Sequence, residues 1–231
     1  WAPEVIEYKN KYYMFYTART LNNPSLRIGL AISDHPEGPY IDYADKPFYD
    51  PGYAVIDASV FIDDDGRKYL YYSIDCSENI VDGRHESHIA VIELADDLMS
   101  VKGEPVVISK PDQPWEKHSG PQWLWNEGPI VLKNNGKYYM FYSANSFASR
   151  EYSVGYAVSD SPMGPFVKHP QPLLWHTKPD KETGVPAVSG PGHNSLAYSP
   201  DKQELFIVYH THTKPERPDG NRQVAIDRIG F

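Results

Sequence analysis

The chain has 231 residues and a formal net charge of −9, which argues against nucleic acid, whose binding needs a basic face, and suits a neutral ligand. No apolar run approaches the roughly 20 residues that span a membrane. The single Cys76 excludes an internal disulfide, and no Cys/His zinc spacing is present.

The 18 Tyr and 21 Pro favour strands joined by punctuated turns. In chain order, a first strand through Val5 and Ile6 meets a turn at Lys9-Asn10 and returns as an aromatic strand, Tyr12 to Tyr16. A third strand covers Ile28 to Ile32, and "DHPEGPY" turns into a short outer strand. The same unit returns as "DASVFIDDDGRKYLYYSI" (57–74) followed by "HIAVIELADDL" (88–98), with a hairpin turn at Asp65-Gly66. It returns again as "EGPIVLKNNGKYYMFYSA" (127–144) and "YSVGYAVSDSPMGPFV" (152–167), turning at Asn135-Gly136. The last copy, "HNSLAYSPDKQELFIVYHTH" (193–212) with "QVAIDRIGF" (223–231), fits with one extra residue in its turn.

Four self-similar units of about four antiparallel strands, starting near 1, 57, 127 and 193, predict an all-β fold: one β-propeller domain over 1–231. A two-sheet sandwich is the rival, but it does not call for whole-unit repetition. The alignment places Trp1, Asp57, Glu127 and His193 at one equivalent position, ringing one end of a central channel with Glu127 at the bottom of a shared pocket.

A Glu or Asp at a strand start is ordinarily a turn or capping residue, a lone His a packed one, and a Trp core. Ionisable residues in register across repeats weigh against that. Two carboxyls across a confined cleft are the minimal equipment for glycoside hydrolysis. Glu127, among the aromatics of "WLWNEGP", is the acid candidate, and Asp57 would keep it protonated by like-charge repulsion. Trp1, Trp123, Trp125 and Trp175 can stack on sugars or serve as packing, and Tyr209, His210 and His212 can line the channel. Asp63, Asp64 and Asp65 lack an EF-hand's further ligands and read as a solvated turn; Asp50-Pro51 reads as a linker between units.

"WAPEV", "DASVFIDDDGRKYLYYS", "WNEGPIVLKNNGKYYMFYS", "VGYAVSDSPMGPF" and "SGPGHNS" together resemble the blade motifs of glycoside hydrolase family 43 along essentially the whole chain. The resemblance implies a five-bladed propeller hydrolysing xylose- or arabinose-containing plant polysaccharides or oligosaccharides with inversion. It implies Glu127 as general acid, Asp57 as pKa modulator, and Trp1, Trp125, His193 and Arg222 as substrate contacts. His193 would lie near a possible calcium at the channel centre, with no cofactor required for the chemistry. The family's general base lies on a first blade that has no counterpart here, so about one blade is expected to be missing. An exo-acting β-xylosidase or α-L-arabinofuranosidase is preferred over an endo-arabinanase, because 109–125 could wall the pocket. The alternatives are a carbohydrate-binding propeller and a glycoside phosphorylase, the latter resting on Arg84, His85, His88 and Arg150 as phosphate holders. A chain opening at Trp1 without Met or signal peptide leaves the compartment undetermined, secreted or periplasmic being preferred over cytoplasmic; oligomeric state is likewise open.

Overall fold

The computed structural model describes residues 1–21 and 23–230, and its regular structure is nearly all antiparallel sheet. The first sheet orders β1 (Glu4–Tyr8), β2 (Lys11–Thr20), β3 (Asn23–Ser33) and β4 (Ile41–Asp42) side by side in chain order. The second contains β5 (Val55–Ile62), β6 (Lys68–Ile74), a short β7 (Ile80–Val81), β8 (Arg84–Leu94) and β9 (Val101–Ser109). The third contains β10 (Trp123–Asn134), β11 (Lys137–Ala144), β12 (Ser153–Ser159) and β13 (Val167–Lys168). The last is β14 (Gly192–Tyr198), β15 (Leu205–His212) and β16 (Arg222–Ile229), three strands where four were expected. The second and third sheets are also not separate. The start of β10 pairs in parallel with β8 at Trp123↔His85, Leu124↔Glu86 and Trp125↔Ser87.

These are propeller blades packed face to face, and the side-chain period of two explains the cores between them. In β6, Leu70 and Tyr72 pack toward Phe15, Ile28 and Leu30 of the first sheet. Tyr69 and Tyr71 point the other way, to Val131, Tyr138 and Met140 of the third. Phe141 and Val154 meet Ile207 of the last. The first strands contribute Ala2–Val5, Asp57–Ser59, Gly128–Ile130 and His193–Leu196 to the wall of one cavity of about 500 Å³, the channel. Among the described residues, no strand pairing closes the last sheet onto the first.

Register corrects the expected ring. Pairing slips between Ile56 and Ser59, between Glu127 and Ile130, and between Gly192 and Ser195, a bulge at the head of each first strand. In the first blade Trp1 bonds Thr17 through both backbone groups, at 2.6 and 2.9 Å, and the next pair is Glu4↔Phe15. Trp1, Ile56, Glu127 and Gly192 are therefore equivalent. Ala2, Asp57, Gly128 and His193 occupy the next place, all with positive φ (39°, 57°, 58° and 49°). The hairpin turns account for the slip. The first blade closes its turn with Lys9 and Asn10, the second with Asp64, Asp65 and Gly66, and the last with residues 200–203. Each of the later two is one residue longer than a best sequence match assigns, so Asp57 and His193 shift one place inward.

Asp63 is also not a solvated turn residue. It is buried and accepts hydrogen bonds from Lys133 Nζ and Tyr138 Oη of the third blade, stapling two blades together. Segment 109–125 carries a 3₁₀ turn, Pro114–Lys117, whose Glu116 is fully buried. Glu116 accepts from Lys168 Nζ at 2.8 and 2.9 Å, from Tyr142 Oη at 2.8 Å, and from the amides of Asp112 and Gln113. Lys168→Met should leave that charge without its counter-ion and lower unfolding free energy by about 3–5 kcal/mol, read by urea denaturation.

Candidate active site

A positive-φ bulge turns a backbone N–H out of the sheet ladder, and buried donors need acceptors. Here the acceptor comes each time from the neighbouring blade's second strand. Asp57 N–H meets Thr17 Oγ1 at 3.2 Å, Gly128 N–H meets Ser73 Oγ at 3.1 Å, and His193 N–H meets Ser143 Oγ at 2.7 Å. In the last blade the equivalent place, opposite Gly192, is held by His210, whose buried Nε2 has no partner.

The second of these joints brings the two carboxyls together. Gly128 N–H also donates to Asp57 Oδ2 at 3.1 Å, and Ser73 Oγ donates to the same oxygen at 3.2 Å. Glu127, one residue away, is buried and accepts from Tyr152 Oη at 2.7 Å through Oε1. Burial is the main cause that pushes the Glu127 carboxyl up to about 8, with the Asp57 charge next, then Asp75; Tyr152 and Arg222 pull the other way. Burial also raises Asp57, against the charge of His193 and the two donors on Oδ2. With two donors on Oδ2, Asp57 is the better anion of the pair. The shared proton sits on Glu127.

The remaining expected residues divide. Trp125 is half-buried beside Trp123 (6.2 Å between rings), and Trp123 stacks on His85 at 3.8 Å. Trp123, Trp125 and Glu127 fall on one face of β10, alternating with buried Leu124 and Asn126. Trp1 is exposed, with the Arg19 guanidinium 5.8 Å over its ring. Arg222 opens β16, 5.1 Å over the Phe147 ring and close enough to act on Glu127. His193 and His210 are on the cavity wall with Tyr209, whereas His212 is spent on Ser189 Oγ and Phe147 O. Trp175 packs edge-on against Trp115, away from the pair. Asp50 accepts from Arg27 and Gly52. The cavity lining includes Asp57, Gly128 and His193, and Glu127 is not part of it.

The sequence alone assigns no role to three further residues: Asp75 beside the pair, Tyr152 on the acid, and Glu4, whose carboxyl on the cavity wall is pushed up to about 7 by burial. Asp75 and Tyr152 each follow or precede a strand end, where only the folded hairpin shows what they face. Among the described residues no group of three or more His, Cys, Asp or Glu converges to hold a metal ion. Arg84 and His88 both close on buried Glu86 (2.8 and 2.9 Å), and His85 Nδ1 bonds Cys76 O, so three of the four suggested phosphate holders are already engaged. No helix of the described residues is long and apolar enough to cross a membrane.

Two carboxyls of unequal proton affinity are the equipment that glycoside hydrolysis uses. The family profile described as glycosyl hydrolases family 43 matches residues 1–231, and the chain belongs to that family. It is 31% identical to a β-D-galactofuranosidase, XynD, of Aspergillus niger over all of this chain and 62% of that protein. It is also 31% identical to an arabinoxylan arabinofuranohydrolase of Paenibacillus polymyxa, over 92% of this chain and 32% of the relative. A crystal structure of a thermostable family-43 glycoside hydrolase superposes with a TM-score of 0.92 at 51% identity, covering 100% of this chain and 72% of that one. The chain thus spans well under the full length of the proteins it matches.

A raised carboxyl stabilises the fold below its unfolded pKa and loses that contribution as pH rises through the folded value. Glu127→Gln should therefore melt close to the parent at pH 4 and several degrees above it at pH 9, measured by calorimetry.

Proposed function

We propose that this chain is the larger part of an inverting glycosidase acting on xylose- or arabinose-containing polysaccharides or their oligosaccharides. Glu127 protonates the leaving glycosidic oxygen as general acid. Asp57, held as the anion by Gly128 N–H and Ser73, keeps that proton on Glu127 near neutral pH and orients the sugar. The observation that carries this reading is the buried Glu127 carboxyl, pushed up to about 8 beside an Asp57 carboxyl that accepts from two donors. A group with that affinity still holds its proton at neutral pH and releases it easily on demand.

Trp125, braced by Trp123 and His85 on the face of β10 that carries Glu127, offers a ring surface for the sugar next to the acid. Arg222 and His193 supply donors to sugar hydroxyls. Exo action on a β-xyloside or α-L-arabinofuranoside is the favoured mode. Segment 109–125 supports it, since the amides of His118 and Ser119 bind Asn145 Oδ1, two residues from Ser143, and tie that segment to the end of the strand that pairs with Glu127. The general base is assigned to a blade outside these residues.

The test is hydrolysis of aryl β-xyloside and aryl α-arabinofuranoside by this chain and by the chain extended upstream in its gene, each with and without Glu127→Gln. Activity in the extended form, cut about 10²–10⁴-fold by the substitution, is the expected result. Sugar binding that survives Glu127→Gln, with no turnover in any form, would make this a binding propeller instead.

A further inference from the structure

Glu127 has two carboxyl oxygens, and an acid catalyst must present its proton from one of them in a fixed direction. Tyr152 decides which. Its ring is 1% exposed, and its hydroxyl donates to Glu127 Oε1 at 2.7 Å. Such a phenol remains un-ionised, because burial and the adjacent Glu127 raise it well above its ordinary value. It can therefore donate in both charge states of Glu127.

The ring is held from two sides by the last blade. His210 of β15 stacks on it, 5.5 Å between centroids and 15° between planes. A Cβ placed on Gly192 would fall 2.1 Å from it, so only glycine there leaves the ring its seat. Gly192 and His210 are themselves paired across β14 and β15. The last blade thus bears on the acid of the third blade through one phenol.

We propose that Tyr152 is the positioning residue of the acid: it occupies Oε1, leaves the proton to Oε2, and binds the carboxylate more tightly once that proton has gone. The inference deepens the glycosidase reading and rests on Glu127 being the acid. In the step itself, the Oε2–H bond breaks as the proton passes to the glycosidic oxygen, the bond from that oxygen to the anomeric carbon breaks, and its electron pair stays with the leaving oxygen. The new carboxylate keeps the Tyr152 hydrogen bond, which becomes charge-assisted and stronger than the one to the neutral acid. An interaction that grows as the reaction proceeds lowers the barrier.

The groups facing Glu127 are Asp57 from β5, Asp75 and Cys76 after β6, Tyr152 before β12 and Arg222 from β16, with His193 acting through Asp57. Tyr152→Phe removes one oxygen and leaves the others in place. Carboxyl carbon-13 NMR on the glutamate-labelled chain, with the resonance assigned by Glu127→Gln, reads the result without requiring turnover. The Glu127 pKa should rise by about one unit or more in Tyr152→Phe, since a hydrogen bond favouring the charged form is gone. Gly192→Ala, which pushes the phenol off its seat, should shift it the same way. An unchanged or lowered value in the folded Tyr152→Phe chain overturns the proposal, whatever that variant does to thermal stability.

In the extended protein, Tyr152→Phe should slow hydrolysis of a glycoside with a poor alkyl leaving group about tenfold, and spare a dinitrophenyl glycoside that needs no acid. Equal slowing of both would also overturn it. Loss of all turnover from the unmodified protein, with the pKa shift intact, would refute the hydrolase reading while leaving the Tyr152–Glu127 linkage standing.

Discussion

A backbone amide turned out of its ladder and buried must find an acceptor, and the arrangement of this molecule follows from how three such amides find theirs. The residues after Ile56, Glu127 and Gly192 adopt positive φ, and Thr17, Ser73 and Ser143 reach across from the neighbouring blade to take their N–H groups. Each bond joins two blades at the rim of the channel. Each also sets the direction in which the bulge residue projects. Asp57 and His193 lie on the cavity wall for this reason, and Gly128 carries no side chain where the His193 ring passes 3.3 Å from its would-be Cβ.

That same joint separates the chemistry of two neighbouring carboxyls. Asp57 shares a donor with the joint itself, since Gly128 N–H serves both Ser73 Oγ and Asp57 Oδ2. Glu127 has a phenol and little else. Unequal donor supply in a dry site turns two similar acids into an anion and a proton carrier. The cost is stability: a buried carboxyl opposes folding as soon as it ionises, and it persists where function uses it.

The blades were legible because self-similarity reports a repeated fold more reliably than any single strand pattern does. The aromatic runs of β2, β6 and β11 carried it. The placement of Asp57 was legible only to within one residue. Sequence similarity is blind to where a turn's extra residue belongs, and at a period of two a single slip changes which side a residue faces. Asp63 misled for a related reason: "DDDG" has the composition of a solvated turn, and only packing against Lys133 and Tyr138 of another blade makes its first member a buried staple. Asp75 and Gly192 bear on the site through contacts made across blades, and Tyr152 through the folding of one blade back on its own first strand, none of which a local pattern spells out.

The parallel pairing of Trp123–Trp125 with His85–Ser87 gives β10 a footing in two sheets at once. Beyond that footing the strand runs on through Glu127 into its own hairpin with β11. A strand clamped in this way resists the hinge-like rocking by which blades would otherwise shift against each other. The acid is therefore carried on a strand anchored in two sheets, like a beam built into two walls.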